Sequence, residues 1–214
     1  MQLDICEIFY SLQGESTFTG LPCIFIRLSG CNLNCAWCDT RYAGMESTRM
    51  TFDQILKKTA SYQCHLVEVT GGEPLLQDNT PELISMLLEE NYQVLLETNG
   101  SRSIKDVDSG CIKIVDIKCP SSNEQNSFLL ENIKFLTQKD EIKFVIGSQK
   151  DYKFATSFIK HKLSKFSAAN IHLSPVFGQI RSATLAAWMI EDHLPARLSL
   201  QQHKVIWHPD KRGV

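Results

Sequence analysis

Along most of the chain, short apolar runs rich in β-branched and aromatic residues alternate with stretches whose apolar positions recur every three or four residues. The first pattern marks buried strands, the second amphipathic helices packed on them. Strands are predicted at Cys23–Ser29, His65–Thr70, Gln93–Thr98, Ile112–Ile117, Ile142–Ile146, Asn170–Leu173 and Arg197–Ile206. Helices are predicted near Phe52–Tyr62, Pro81–Glu90, Phe128–Leu136, Lys153–Leu163 and Thr184–His193. Thr51 followed by Gln54 has capping-box spacing, and Thr80-Pro81-Glu82 offers an N-cap oxygen, a proline and an early carboxylate.

Strand then helix, repeated, predicts an α/β fold with a parallel sheet and right-handed crossovers. A full eight-fold barrel typically takes about 250 residues. At 214 residues, one domain built as a partial, open β/α barrel is the better fit. Several strands carry a charge among apolar neighbours: Arg27, Glu68, Glu97 and Lys143. Period two puts Arg27 on the face of Phe25 and Cys23. Singly, such charges could be structural ion pairs or lie at solvated strand ends; several of them, mostly late in their strands, fit better with a polar cavity at one end of the sheet, where α/β folds bind ligands.

Composition narrows the class. A net charge of −2 leaves no electrostatic footprint for nucleic acid or an anionic membrane. No apolar run reaches the roughly 18–20 residues that span a bilayer. Met1 to Cys6 contains Asp4 where a secretory leader would carry positive charge, so a cytoplasmic protein is expected. There, eight cysteines imply metal or chemistry rather than disulfides. Cys6, Cys23, Cys64, Cys111 and Cys119 are scattered and read as small packing residues.

Cys31, Cys35 and Cys38 fall in a C-x3-C-x2-C spacing directly after a strand. Thiolates suit iron–sulfur clusters and zinc alike. Structural zinc and simple electron-transfer clusters both want four protein ligands. Cys64 or His65 as a fourth keeps zinc open. With three ligands, one iron of a 4Fe-4S cluster is left for a small molecule. Thr70-Gly71-Gly72-Glu73-Pro74 follows the next strand, and its glycines allow a close approach of backbone to a ligand. Glu97-Thr98-Asn99-Gly100 and Ser174-Pro175-Val176-Phe177 fall at the same end of the sheet.

The cysteine spacing, with Trp37 as its aromatic, and the Gly-Gly-Glu-Pro element resemble the radical S-adenosylmethionine superfamily. The resemblance implies a barrel of the radical SAM type, a 4Fe-4S cluster on Cys31, Cys35 and Cys38, and reductive cleavage of S-adenosylmethionine. Ile8-Phe9-Tyr10-Ser11-Leu12-Gln13-Gly14-Glu15-Ser16, Arg27, Cys38-Asp39-Thr40, Asp116-Ile117-Lys118-Cys119-Pro120-Ser121-Ser122, Ile142–Ile146 and Gln202-His203-Lys204 are similar to the 7-carboxy-7-deazaguanine synthase family. That resemblance covers nearly the whole chain. It implies ring contraction of 6-carboxy-5,6,7,8-tetrahydropterin with loss of ammonia, on the way to 7-deazapurines such as the queuosine of tRNA.

By the family pattern, Leu12, Gln13, Gly14, Arg27 and Thr70 would contact the pterin. Gly72, Asp116, Ile117, Lys118, Ser174, Pro175, Val176 and Phe177 would contact S-adenosylmethionine, and Thr40 would ligate Mg²⁺. No catalytic side chain is implied beyond the cluster and the adenosyl radical. Asp39 competes with Thr40 as the metal partner, because a hydroxyl is a weak Mg²⁺ ligand. A homodimer, a flavodoxin-like electron donor and no direct contact with nucleic acid or membrane complete the expectation. The rival readings are an activase for a glycyl-radical enzyme and a zinc- or cluster-binding adaptor.

Overall fold

A computed structural model describes all 214 residues. Nine strands form one sheet: β1 (Gln2–Leu12), β2 (Pro22–Leu28), β3 (Thr48–Thr51), β4 (Leu66–Gly71), β5 (Gln93–Thr98), β6 (Ile112–Asp116), β7 (Glu141–Ile146), β8 (Ile171–Pro175) and β9 (Arg197–Leu198). Their order is β3-β1-β2-β4-β5-β6-β7-β8-β9, and the two end strands do not meet, so the barrel is open. From β2 onward neighbours are parallel, while β1 runs antiparallel to both β2 and β3.

The longer helices are α1 (Phe52–Ala60), α2 (Thr80–Glu89), α3 (Gln149–Lys162) and α4 (Ser182–Glu191). All pack on one side of the sheet, because alternate strand residues on that side are apolar. Ile24, Ile26, Val67, Val69, Val94 and Leu96 meet Ile55 of α1 and Leu83, Ile84 and Leu87 of α2. Val115, Ile142, Phe144, Ile171 and Leu173 meet Ala155 and Ile159 of α3 and Leu185 of α4. The Thr51–Gln54 capping box forms as expected. Thr80 does not cap α2; its buried hydroxyl donates instead to the Pro74 carbonyl at 2.6 Å.

Two predicted elements are corrected. Phe128–Leu136 is not an α-helix but a 3-10 stretch over Leu130–Phe135. Asn132, fully buried, explains this: its amide donates to the carbonyls of Gly100 and Arg102 and accepts from the Ile104 N–H. The segment is thus spent stitching the β5–β6 connection, which has no helix of its own.

Arg197–Ile206 pairs as a strand only at Arg197 and Leu198. Beyond them Gln201 and Gln202 bond to Glu15 and to the Gly14 carbonyl, and a last short turn, α5 (His203–Ile206), follows.

The edge strands β1 and β3 were not anticipated. In β1 a bulge between Ile5 and Glu7 interrupts the alternation that marks a strand. β3 has only four residues, two of them exposed.

Candidate active site

The side of the sheet away from the helices carries the chemistry. Near the strand starts it is apolar, with Cys23, Phe25, Leu66, Leu95 and Ile114 packed together. Toward the strand ends it turns polar, with Arg27 beside Thr70 and Asp116 beside Lys143 in the strand register. Parallel strands point their ends the same way, so these side chains gather at one end of the sheet's inner face, beside the loops that follow.

A strap rather than further strands covers this interior. Gln13 donates to Glu68 at 2.5 Å, and Thr17 bonds through its N–H and hydroxyl to Glu141. Glu15 stands 2.6 Å from the Lys143 ammonium, which also meets Glu97 at 2.7 Å. Burial alone would raise the Glu15 carboxyl, but the Lys143 charge overrides it and holds the group below its usual range. Glu68 goes the other way. Buried among Glu97 and Glu15, its carboxyl is pushed well above the usual range despite the Gln13 bond.

Gly14 is a close approach, since a Cβ there would lie 2.3 Å from the His203 Nδ1. Leu12 is the last β1 residue, paired with Pro22 at the start of β2.

The cysteine loop follows β2. Cys31 is exposed, Cys38 half-buried and Cys35 buried. Burial first, then the Asp116 carboxylate and the neighbouring Cys38 and Cys31 thiols, push Cys35 up to about 11. No three His, Cys, Asp or Glu side chains converge on a single point as zinc ligands would. A cubane cluster takes each thiolate on a different iron, so three neighbouring cysteines that need not meet at one point fit it. Lys118 lies close enough to Cys35 to favour its thiolate, which suits a thiolate-ligated group.

Gly72 presses on this loop: a Cβ would come 2.4 Å from the Gly30 carbonyl oxygen and 2.6 Å from the Cys31 Cβ. Only glycine lets the two loops sit together. Glu73, fully buried, is consumed by the fold, accepting from the Asn99 N–H, the Leu75 N–H and the Thr98 hydroxyl. Glu97-Thr98-Asn99-Gly100 is thereby tied to the Gly-Gly-Glu-Pro loop.

Asp116 pairs with Lys118 at 2.7 Å and keeps Oδ1 free of any partner although buried. Ser174 is buried on the same side with an unpartnered hydroxyl. Ile117 turns its side chain into the helix-side core, and its N–H donates to the Lys143 carbonyl, so only its carbonyl remains for a ligand. Pro175 and Val176 are buried, whereas Phe177 is half-exposed and lines a cavity of about 290 Å³ with Pro175, Leu200 and Gln201. Thr40 lies 3.8 Å from the Cys38 sulfur, and neighbouring Asp39 is held by Lys204 at 2.6 Å.

Two residues escaped the sequence reading. Glu7 accepts from the Arg27 Nε at 2.9 Å, and the Tyr42 hydroxyl donates to the same Glu7 oxygen at 2.9 Å. Glu7 lies just before the Ile8–Ser16 motif, but its facing depends on the bulge. Tyr42 had no local signal.

Residues 25–125 match the Radical SAM superfamily. A 7-carboxy-7-deazaguanine synthase of Koribacter versatilis is 43% identical, covering 99% of this chain and all of the relative. One of Chlorobaculum tepidum is 45% identical over 99% of this chain and 97% of the relative. This chain belongs to the 7-carboxy-7-deazaguanine synthase family. It is a radical S-adenosylmethionine enzyme, with a 4Fe-4S cluster and S-adenosylmethionine as its cofactors. Among solved structures, the crystal structure of QueE from Escherichia coli superposes with a TM-score of 0.75 at 27% identity, covering 95% of each chain. Streptococcus suis SuiB, 11% identical with a TM-score of 0.53 over 80% of this chain and 46% of its own, shares the fold alone.

The scattered cysteines are packing residues in part: Cys23, Cys111 and Cys119 are buried, while Cys6 and Cys64 are half-buried. No helix is long and apolar enough to cross a membrane.

Proposed function

We propose that the chain contracts 6-carboxy-5,6,7,8-tetrahydropterin to 7-carboxy-7-deazaguanine with release of ammonia, feeding 7-deazapurine synthesis. The observation that carries this reading is Arg27. It stands on the inner face beside Thr70, and its two terminal nitrogens make no hydrogen bond within the protein. A guanidinium edge left free in a cavity matches a carboxylate oxygen for nitrogen.

Held by Cys31, Cys35 and Cys38, a 4Fe-4S cluster would supply the one-electron reduction that releases a 5′-deoxyadenosyl radical from S-adenosylmethionine. The rest falls to this chain's residues. Cys31, Cys35 and Cys38 hold the cluster, and the Gly72 contact sets the Gly-Gly-Glu-Pro loop against it. The unpartnered Asp116 Oδ1 and Ser174 hydroxyl offer bonds to S-adenosylmethionine, beside Gly72, the Ile117 carbonyl, Lys118 and Pro175–Phe177. Arg27 and Thr70 orient the pterin, while Leu12–Gly14 cover it and exclude water. Thr40 would ligate Mg²⁺, its competitor Asp39 being engaged through one oxygen by Lys204.

The chain is read as one radical SAM domain working in the cytoplasm, where eight free thiols stay reduced. A homodimer would cover unpaired sheet edges, and a flavodoxin-like protein would deliver the electron.

The test is an anaerobic assay with substrate deuterated at C6. Label should appear in 5′-deoxyadenosine and in recovered S-adenosylmethionine, together with 7-carboxy-7-deazaguanine. Protein with a full cluster that gives neither label transfer nor product would overturn the pterin assignment.

A further inference from the structure

Arg27 does not stand alone, and its setting is unusually elaborate for a stability contact. Strand β1 meets β2 with Ile5 opposite Leu28 and Glu7 opposite Arg27, Cys6 being left over as the bulge. Ile5 faces the helix-side core. Without the bulge, Glu7 would share that face by period two. The extra residue turns Glu7 to the inner side, the use bulges commonly serve near active sites.

Once there, Glu7 meets Arg27 through one oxygen and one nitrogen only, Oε1 to Nε. A pair built for strength alone would take the bidentate fork. Here the fork end is kept free. Phe9, stacked on Phe25, lies with its ring centroid 5.9 Å from the guanidinium carbon and restricts the plane.

Tyr42 fixes Glu7 in turn. It sits on the 3-10 turn Arg41–Gly44, directly after Cys38 and Thr40. That turn is bound to the end of β2, since the Gly30 N–H and the Ser29 hydroxyl both donate to the Ala43 carbonyl. The other face of Tyr42 is covered by Arg212, 3.6 Å from the ring centroid, which is itself held by a double bond set to Glu46. One support therefore joins the cysteine loop to the side chain that would hold the substrate.

We propose that Glu7 and Tyr42 are positioning residues: they hold the Arg27 guanidinium so that its terminal nitrogens present a fork to the substrate carboxylate, in register with the cysteine loop. The inference rests on the reading of Arg27 as the carboxylate anchor.

The test compares two probes on anaerobic holoenzyme carrying its cluster and S-adenosylmethionine: pterin-6-carboxylate, and pterin without the carboxylate. Binding is followed by pterin fluorescence, and the readout is the ratio of the two affinities. Wild type should prefer the carboxylate, and Arg27→Ala should abolish that preference. Glu7→Ala should reduce it about tenfold, as for loss of one charge-assisted bond. Glu7→Gln, which keeps an acceptor oxygen, should retain most of it. Tyr42→Phe should reduce it about threefold, on the scale of one neutral hydrogen bond.

Affinity for unsubstituted pterin and iron content should stay unchanged, which a general loosening of the fold would not allow. If Arg27→Ala loses the preference while Glu7→Ala and Tyr42→Phe both keep it, the positioning role is wrong and the anchor stands. If Arg27→Ala keeps the preference, the anchor itself is wrong, and the positioning role with it. Should Glu7→Ala fail to fold, Tyr42→Phe decides.

Discussion

The backbone N–H of Asn99 donates to the buried carboxylate of Glu73 at 2.7 Å, so the loop after β5 hangs from the loop after β4. Thr98 and Leu75 add bonds to the same side chain. Glu73→Ala would leave three donors without an acceptor, at about 1–3 kcal/mol for each that stays buried. A loss of more than about 3 kcal/mol in urea denaturation is expected, with Glu73→Gln losing clearly less. Equal losses would mean that the bonds matter less than the packing.

Glu68 makes stability depend on pH in a defined direction. Its carboxyl is raised in the folded protein, by burial first and then by Glu97. Below the unfolded value, near 4.5, it is neutral in both states and has no effect. As pH rises past that value the unfolded chain ionises first, so stability falls until the folded value is passed. Glu68→Gln should flatten this decline above about pH 4.5 in chemical denaturation. A variant with the wild-type slope would assign the decline to another group.

Lys143 separates buried from exposed ion pairs. Lys143→Met leaves Glu15 and Glu97 facing each other with no cation between them, so a loss of about 3–5 kcal/mol is expected. Arg49→Ala removes an exposed pair with Asp4 and should cost less than about 1 kcal/mol. Comparable midpoints for the two variants would contradict this ranking.

Gly72→Ala probes the loop contact without touching a cluster ligand. The new Cβ must displace the Gly30 carbonyl or Cys31, so anaerobically reconstituted protein should carry less iron than wild type. Cys31→Ala, Cys35→Ala and Cys38→Ala should each abolish S-adenosylmethionine cleavage. Cys64→Ala should keep both iron and cleavage, because its sulfur is spent on the Pro22 and Leu66 carbonyls. Iron analysis and 5′-deoxyadenosine release check the series; loss of iron in Cys64→Ala would reopen four-ligand chemistry.

Thr40→Val, close in shape, should weaken the response of turnover to added Mg²⁺ while leaving iron content unchanged. An unaltered Mg²⁺ titration would move the ion to the substrate or to Asp39, at the expense of its bond to Lys204.

Much was legible along the chain because it is local. The runs at Gln93–Thr98 and Ile142–Ile146 are buried on the helix side by apolar residues, and period alone marks them. The three cysteines and the Gly-Gly-Glu-Pro element lie within a few residues of a strand end, so spacing carried their meaning. Asn132 was not legible: a polar residue within an apolar helical pattern gives no sign that it will be buried under Gly100 and Arg102.

By itself the sequence determined the parallel α/β order and the family, since covalent spacing and strand period need no partner to be read. Only the tertiary structure decided which charges are satisfied and which are left free. Period two placed Arg27 on the inner face, but its pairing with Glu7 required a bulge, an antiparallel neighbour and Tyr42 from beyond the cysteine loop. Lys143 likewise gained its partners from residues 128 and 46 positions away, Glu15 and Glu97. A buried charge is compensated by whatever the fold brings beside it, and that proximity is a property of three dimensions that no local pattern encodes.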